Sequence, residues 1–293
     1  MGNTIQKIYA QGRDNGLQIS GSVSETIKCN TLYDNNFGMD FLNSTITGLS
    51  LINNSMMCNT TGIKSAVTGT LNATSNYWGA ANGPTNLGGT GNGYTGTVNA
   101  NSFLTAPDAC ANIVPNTDAF GNNVLIEDGD ITPSINDGTL VCGIPIGQNI
   151  VTNYTIKNNG GGIMRLIGPN PVTVVPVTHF TVDSQPSDLE LAPGESTIIG
   201  IKFAPTAIGQ QNAVVNVANK SCDNNPYNFT IQGNGCNPST AVMSRDTAIC
   251  IGKPGSVKLT IVGGTAPFTV TLSDGSVHTL NANGVNYITR TPV

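Results

Sequence analysis

Three stretches near the start of the chain share one pattern of apolar and polar positions. Each opens on an aliphatic residue, runs through polar residues rich in Asn, and ends in Gly followed by a large apolar side chain. They start at Ile5, Ile27 and Leu51, and their glycines, Gly16, Gly38 and Gly62, are spaced by 22 and 24 residues. A period in the twenties predicts a solenoid, in which each repeat is one coil and stacked coils bury a shared core. With the glycines aligned, Ile5, Ile27 and Leu51 form one column, Ala10, Leu32 and Met56 a second, and Leu17, Met39 and Ile63 a third. A fourth column holds Arg13, Asn35 and Asn59 and predicts an Asn corner. Stacked amides bond from coil to coil there, and Asn tolerates the left-handed backbone that a corner needs.

From Gly121 the rhythm changes to short strands separated by turn signals, the pattern of a β-sandwich. Apolar and polar residues alternate over Ile150–Asn158, 196–205 and 212–219, with turns at Asn159-Gly160-Gly161 and Pro193-Gly194-Glu195 between them.

Three resemblances refine this outline. The repeats of residues 1 to about 75 resemble the right-handed parallel β-helix of pectate-lyase-like and bacterial surface proteins. The segment NYWGAANGPT at 76–85, followed by GGTGNGYTGTVNANSFLTAP, resembles the closing element of bacterial surface β-helices, so Trp78, the only Trp, is expected as the structural cap. The segments VLIEDGDITPSINDGT, NYTIKNNG, HFTVDSQP, LAPGESTIIGIKFAP and NPYNFTIQGNG, in that order, resemble the choice-of-anchor D domain, an immunoglobulin-like sandwich of secreted bacterial proteins. After Cys236, DTAICIGKPGSVKLTIVGGTAPFTVTLSDGS is similar to the immunoglobulin-like modules of Bacteroidota adhesins, which implies export by the type IX route. In that family the Cys corresponding to Cys250 pairs near the last strand, so Cys250 is expected unpaired and the module partial. The expected architecture is all-β: a short right-handed parallel β-helix with cap over 1–109, a linker over 110–120, an immunoglobulin-like sandwich over 121–235, and an incomplete second sandwich over 236–293. No polar cap precedes Ile5 and the end NYITRTPV falls inside a strand-like run, so the chain is expected to be an internal piece of a longer protein.

Composition narrows the function. Charged residues make up 10% of the 293, against about 25% in ordinary globular proteins, with a net charge of −5 and a pI near 4.8. Neither nucleic acid nor an anionic membrane surface is an expected partner of such a chain. No run of 18 apolar residues predicts membrane insertion, and the N-terminus lacks the pattern of a signal peptide.

Seven cysteines suggest disulfides, with at least one left over. Cys142 and Cys222 lie near the two ends of the sandwich and form the main candidate; closing a loop of about 80 residues constrains the unfolded chain by roughly 4 kcal/mol. Cys110 with Cys236 would bracket the same domain. Cys29 falls opposite Asn53 and Cys58 opposite Asp34, so these two occupy different corners of neighbouring coils and read either as a bridge or as small buried residues. No Cys-x-x-Cys spacing points to zinc.

Candidate chemistry is sparse. Asp34 falls level with Gly12 and Cys58, and Asp40 with Gln18 and Lys64, so no two carboxylates share a column as a glycosidase would require. Arg13 and Asp14, one coil from Asn35 and Asn36, form the nearest approach to a lyase-like cluster; a solvated corner is the plainer reading. His179 and His278 lack a nearby nucleophile and acid. Asp128, Asp130 and Asp137 give an acidic run that reads either as a weak calcium site or as turn chemistry, and it lacks the twelve-residue spacing of an EF-hand. GGTGNG follows no strand-to-helix transition, so it is no phosphate loop. The expected role is non-catalytic: a monomeric adhesin stalk or binding module, extracellular or on the outer-membrane surface, that takes polysaccharide or a host or cell-surface ligand and needs no cofactor. The alternative is the accessory C-terminal region of a β-helix polysaccharide lyase or glycosidase whose catalytic coils lie upstream.

Overall fold

A computed structural model describes residues 4–6, 8–46, 48–221, 225–237, 240–243, 255–264, 266–272 and 275–290. Nearly every regular element is a strand, and no described helix is long and apolar enough to cross a membrane. The first hundred residues wind into about four coils of a parallel β-solenoid. Each of the first three coils contributes three strands, and strands of successive coils pair in parallel. The pairing joins Ile5 to Ile27 and Leu51, Ala10 to Leu32 and Met56, and Leu17 to Met39 and Ile63. These are the columns that the glycine spacing predicts. Ile27, Leu32, Met39, Leu51, Met56 and Ile63 are all fully buried. Each such side chain contributes roughly 1.5–3 kcal/mol of burial free energy. Trp78 lies in the same core, fully buried, with its ring centroid 5.7 Å from that of Tyr94.

The glycines that mark the period are imposed by coil spacing. A Cβ on Gly16 would lie 2.6 Å from the carbonyl oxygen of Gly38, and one on Gly38 would lie 2.5 Å from that of Gly62. The corner differs from expectation in one respect. The left-handed residues are Gly12, Asp34 and Cys58, each one position before the Asn column, and Asn35 and Asn59 serve as hydrogen-bonding rungs. Asn35 Nδ2 donates to Asn59 Oδ1 at 3.0 Å, and Asn59 Nδ2 donates to Asn92 Oδ1 at 3.0 Å. A second ladder, Asn30, Asn54 and Asn76, runs along another edge with side-chain bonds of 2.9 Å, and all three residues are fully buried.

The following unit is a sandwich whose first strand, Thr117–Gly121, begins within the segment expected as linker. One sheet orders Val124–Ile126, Thr117–Gly121, Ile150–Asn158, Ser196–Phe203 and Phe180–Ser184, all antiparallel. The facing sheet orders Leu140–Pro145, Tyr227–Cys236, Gly209–Val217 and Val172–Val175, with the first pair parallel. Strict alternation along Tyr227–Cys236 puts Tyr227, Phe229 and Ile231 into a core with Tyr154, Ile199 and Phe203. Beyond it, Thr240–Met243, Gly255–Val262 and Gly284–Arg290 form a third sheet, and Phe268–Thr271 pairs with Val277–Leu280 around Leu259, Ile261 and Ile288.

The cysteines pair differently from expectation. Cys29 bonds to Cys110, with an S–S distance of 2.10 Å, which joins a solenoid corner to the segment leading into the sandwich. This replaces both Cys29–Cys58 and Cys110–Cys236. Cys142 is exposed and free, so the Cys142–Cys222 bridge does not form; the register of its strand breaks between Val141 and Ile144 and leaves it at the surface. Cys236 is also free, whereas Cys58 is disulfide-bonded. Cys222 and Cys250 lie outside the described residues.

Candidate functional site

The corner that carries Arg13 and Asn35 faces the sandwich, and the two units are joined there by polar contacts. Tyr9 and Gln11 occupy one short strand of the first coil, so their side chains leave the same face. The Tyr9 hydroxyl donates to Gln11 Oε1 and accepts the Ile163 backbone N–H at 3.2 Å, while Gln11 Nε2 donates to the Ile163 carbonyl at 2.6 Å. One coil on, the Tyr33 hydroxyl donates to the Lys220 carbonyl at 3.0 Å, and Lys220 Nζ bonds Asp34 Oδ1 at 3.2 Å. Burial at this joint pushes the Tyr9 hydroxyl from 10.0 up to about 12, opposed in part by its bond to the Ile163 backbone.

Two adjoining clefts open along the joint. One, of 490 Å³, is lined by Gly12, Arg13, Asp34, Asn36 and Thr60 from the coils and by Arg165 and Lys220 from the sandwich. The other, of 370 Å³, continues past Tyr9, Asn15 and Ile163 and shares Arg13 and Arg165 with the first. Arg165 reaches across from its own strand: Nε donates to Glu190 at 2.8 Å, and the rest of the guanidinium lies over Gly12, where a Cβ would collide with it. Gly12 has φ +64°, the left-handed conformation that Asp34 and Cys58 hold at the same corner of the next two coils, and a larger residue there would have to displace the flexible Arg165 side chain. The Arg13 backbone N–H donates to Asn35 Oδ1 at 3.0 Å, which anchors the residue to the ladder. Its guanidinium has no ion pair or hydrogen bond among the described residues. Asn36 Nδ2 donates to Asp14 Oδ1 at 2.9 Å. A third cavity, of 210 Å³ between Tyr33, Met57, Tyr77 and Pro115, is smaller than the roughly 300 Å³ of the smallest usual ligand pockets.

The structure brings Arg13, Asp14, Asn35 and Asn36 together as the repeat alignment expects and adds Arg165 and Lys220, which no sequence signal connects to them. It does not bring the acidic run together. Asp128 Oδ1 accepts the Asn228 N–H at 2.8 Å, Asp130 caps Thr132, and Asp137 caps Thr139. No group of three His, Cys, Asp or Glu among the described residues is placed to hold a metal. Asp40 is buried level with Gln18 and Lys64 and lies 3.5 Å from Lys64 Nζ, which also sits over the Phe37 ring. His179 Nδ1 accepts the Thr206 N–H at 3.2 Å, and His278 contacts Ser276.

No family model matches the chain, and no curated protein does. Solved structures that resemble it include a protein of unknown function from Porphyromonas gingivalis W83, with a TM-score of 0.28 and 20% identity over 33% of this chain and 44% of that one. The Vibrio cholerae VesB protease gives 0.26 and 16% over 33% of this chain and 29% of its own. The ASH/PapD-like domain 7 of human CEP192 gives 0.22 and 15% over 33% and 79%. The chain thus spans less than half the length of the first two. Likeness at this level assigns neither family nor activity.

Proposed function

We propose that this chain is the non-catalytic stalk and recognition portion of a bacterial protein that works outside the cell or on the outer-membrane surface, and that it binds polysaccharide or another cell-surface ligand. The observation that carries this reading is the joint cleft. It is an elongated polar opening whose walls come from two units locked to each other by Tyr9, Gln11 and Lys220. Such a site keeps its shape without a ligand, so binding costs little ordering of the protein. Amide and hydroxyl groups such as Asn36 and Thr60 both donate and accept, which suits sugar hydroxyls.

The low overall charge and the order of modules support a place on the cell surface. The finer assignment of the sandwich to the choice-of-anchor D type, and of the last unit to a Bacteroidota adhesin module exported by the type IX route, rests on the segments quoted above. A non-catalytic role is supported by the solenoid carboxylates Asp34 and Asp40, which sit on different faces, each beside a lysine. Glycan-array and cell-binding assays on the intact chain test the proposal, with reducing-end and unsaturated-product assays alongside. Retention of a glycan without product is expected; release of product, or retention of nothing in any format, contradicts it.

A further inference from the structure

Building on that reading, we propose that the joint cleft selects acidic sugars, and that Arg13 and Arg165 together grip a carboxylate or sulfate group of the glycan. The chain carries a net charge of −5 with only 12 Lys and Arg in total, yet three of these, Arg13, Arg165 and Lys220, line this one opening. Asp34 is the single carboxylate in that lining, and it is paired with Lys220. Glu190 engages only the Nε of Arg165, so the terminal nitrogens over Gly12 remain beside the cleft. Arg13 is the least committed of the three. Its backbone is pinned to Asn35, and its guanidinium has no partner among the described residues.

Two guanidinium forks in one cleft match the planar or tetrahedral oxygens of an anion, which bind them through paired, charge-assisted bonds. The rest of the lining fixes the class of molecule that carries the anion. Asn36 and Thr60 on one side of Arg13, and Asn15 on the other, are uncharged groups suited to hydroxyls. Both clefts share the arginines, so the ligand extends to either side of its anionic group, as a sugar chain does and a free small anion does not. An acidic peptide fits less well. Arg clusters also take acidic motifs of peptides, but the amide and hydroxyl groups of Asn15, Asn36 and Thr60 along the two clefts match the hydroxyls that a sugar chain carries on either side of its anionic group.

The test uses the intact chain in affinity electrophoresis and calorimetry at low salt. The probes are an alginate oligosaccharide for carboxylate, dextran sulfate for sulfate, unmodified dextran as the neutral sugar and poly-Glu as the acidic peptide. Binding to at least one of the two acidic glycans is expected, at least about tenfold tighter than to dextran and weakening as salt rises. Arg13→Gln is expected to reduce that binding about tenfold or more while leaving thermal unfolding unchanged, because the Arg13 guanidinium makes no hydrogen bond or ion pair among the described residues. Arg13→Lys, which keeps the charge but not the fork, should fall between the two. Dextran bound as tightly as the acidic glycans, or an Arg13→Gln protein that binds them like wild type, overturns the acidic selectivity and leaves glycan recognition standing. Binding to poly-Glu in place of both acidic glycans overturns it as well. Failure to bind any of these glycans overturns the acidic selectivity, and the broader recognition reading is overturned when the glycan-array and cell-binding assays retain nothing either.

Discussion

Asn54 has no exposed surface, and every polar atom of its side chain is used. Its Nδ2 donates to Asn76 Oδ1, the Ile27 carbonyl and the Ile52 carbonyl, and its Oδ1 accepts from Asn30. Replacing it with Ala strands several buried groups at once, each costing about 1–3 kcal/mol. Asn54→Ala is expected to lose at least ~3 kcal/mol in denaturant titration. The exposed Asn36→Ala is expected to stay within about 1 kcal/mol of wild type. Gly38→Ala meets the Gly62 carbonyl, backbone against backbone, so it cannot be relieved by a rotamer change, and a loss of at least ~2 kcal/mol is expected. The Asn35 and Asn59 rungs were readable because they repeat with the glycines. Asn30 and Asn54 repeat with the same spacing, and their column begins with Ile8 as the other begins with Arg13, each joining its ladder through the backbone N–H alone. The second ladder was therefore as legible in the Asn spacing as the first, although aligning the glycines singled out only the corner beside them.

The coil is the element whose behaviour follows most directly from the sequence, since its three inward columns are set by the apolar spacing and its pairing follows them. The disulfides do not follow in that way. Cys29 has φ 57° at a corner, where its backbone N–H donates to the Asn53 carbonyl of the next coil at 3.1 Å while its Sγ bonds to Cys110 of the segment leading into the sandwich. Sequence spacing measures separation along the chain, whereas this bond depends on where the linker lies back over the solenoid. The pair is 81 residues apart, and closing a loop of that length constrains the unfolded chain by about 4 kcal/mol in the chain-entropy model. Cys110→Ser is expected to lower the solenoid's stability by about that amount in urea titration, and Cys142→Ser to leave it unchanged. An equal effect of the two substitutions would contradict the observed pairing.

At the scale of the whole molecule, the solenoid and the sandwich meet through side chains that the sequence leaves 152 to 187 positions apart. Neither Arg165 nor Lys220 stands in a motif, so only the fold brings them to Arg13. The joint also has a pH signature. The Tyr9 hydroxyl titrates at about 12 when folded and at 10.0 when free, so the folded state holds its proton more tightly. Its contribution to stability is complete below pH 10 and is lost as pH rises through 12. Stability measured across that window should fall for wild type, and Tyr9→Phe should lose this part of the slope.

The most direct measurement is hydrogen–deuterium exchange of the intact, oxidised chain with and without an alginate oligosaccharide or dextran sulfate. Protection on both walls of the joint is predicted, around residues 12–16 and 34–36 of the coils and around 163–165 and 220 of the sandwich. Protection confined to the outer face of either unit, with the joint unchanged, would contradict the cleft as the recognition surface.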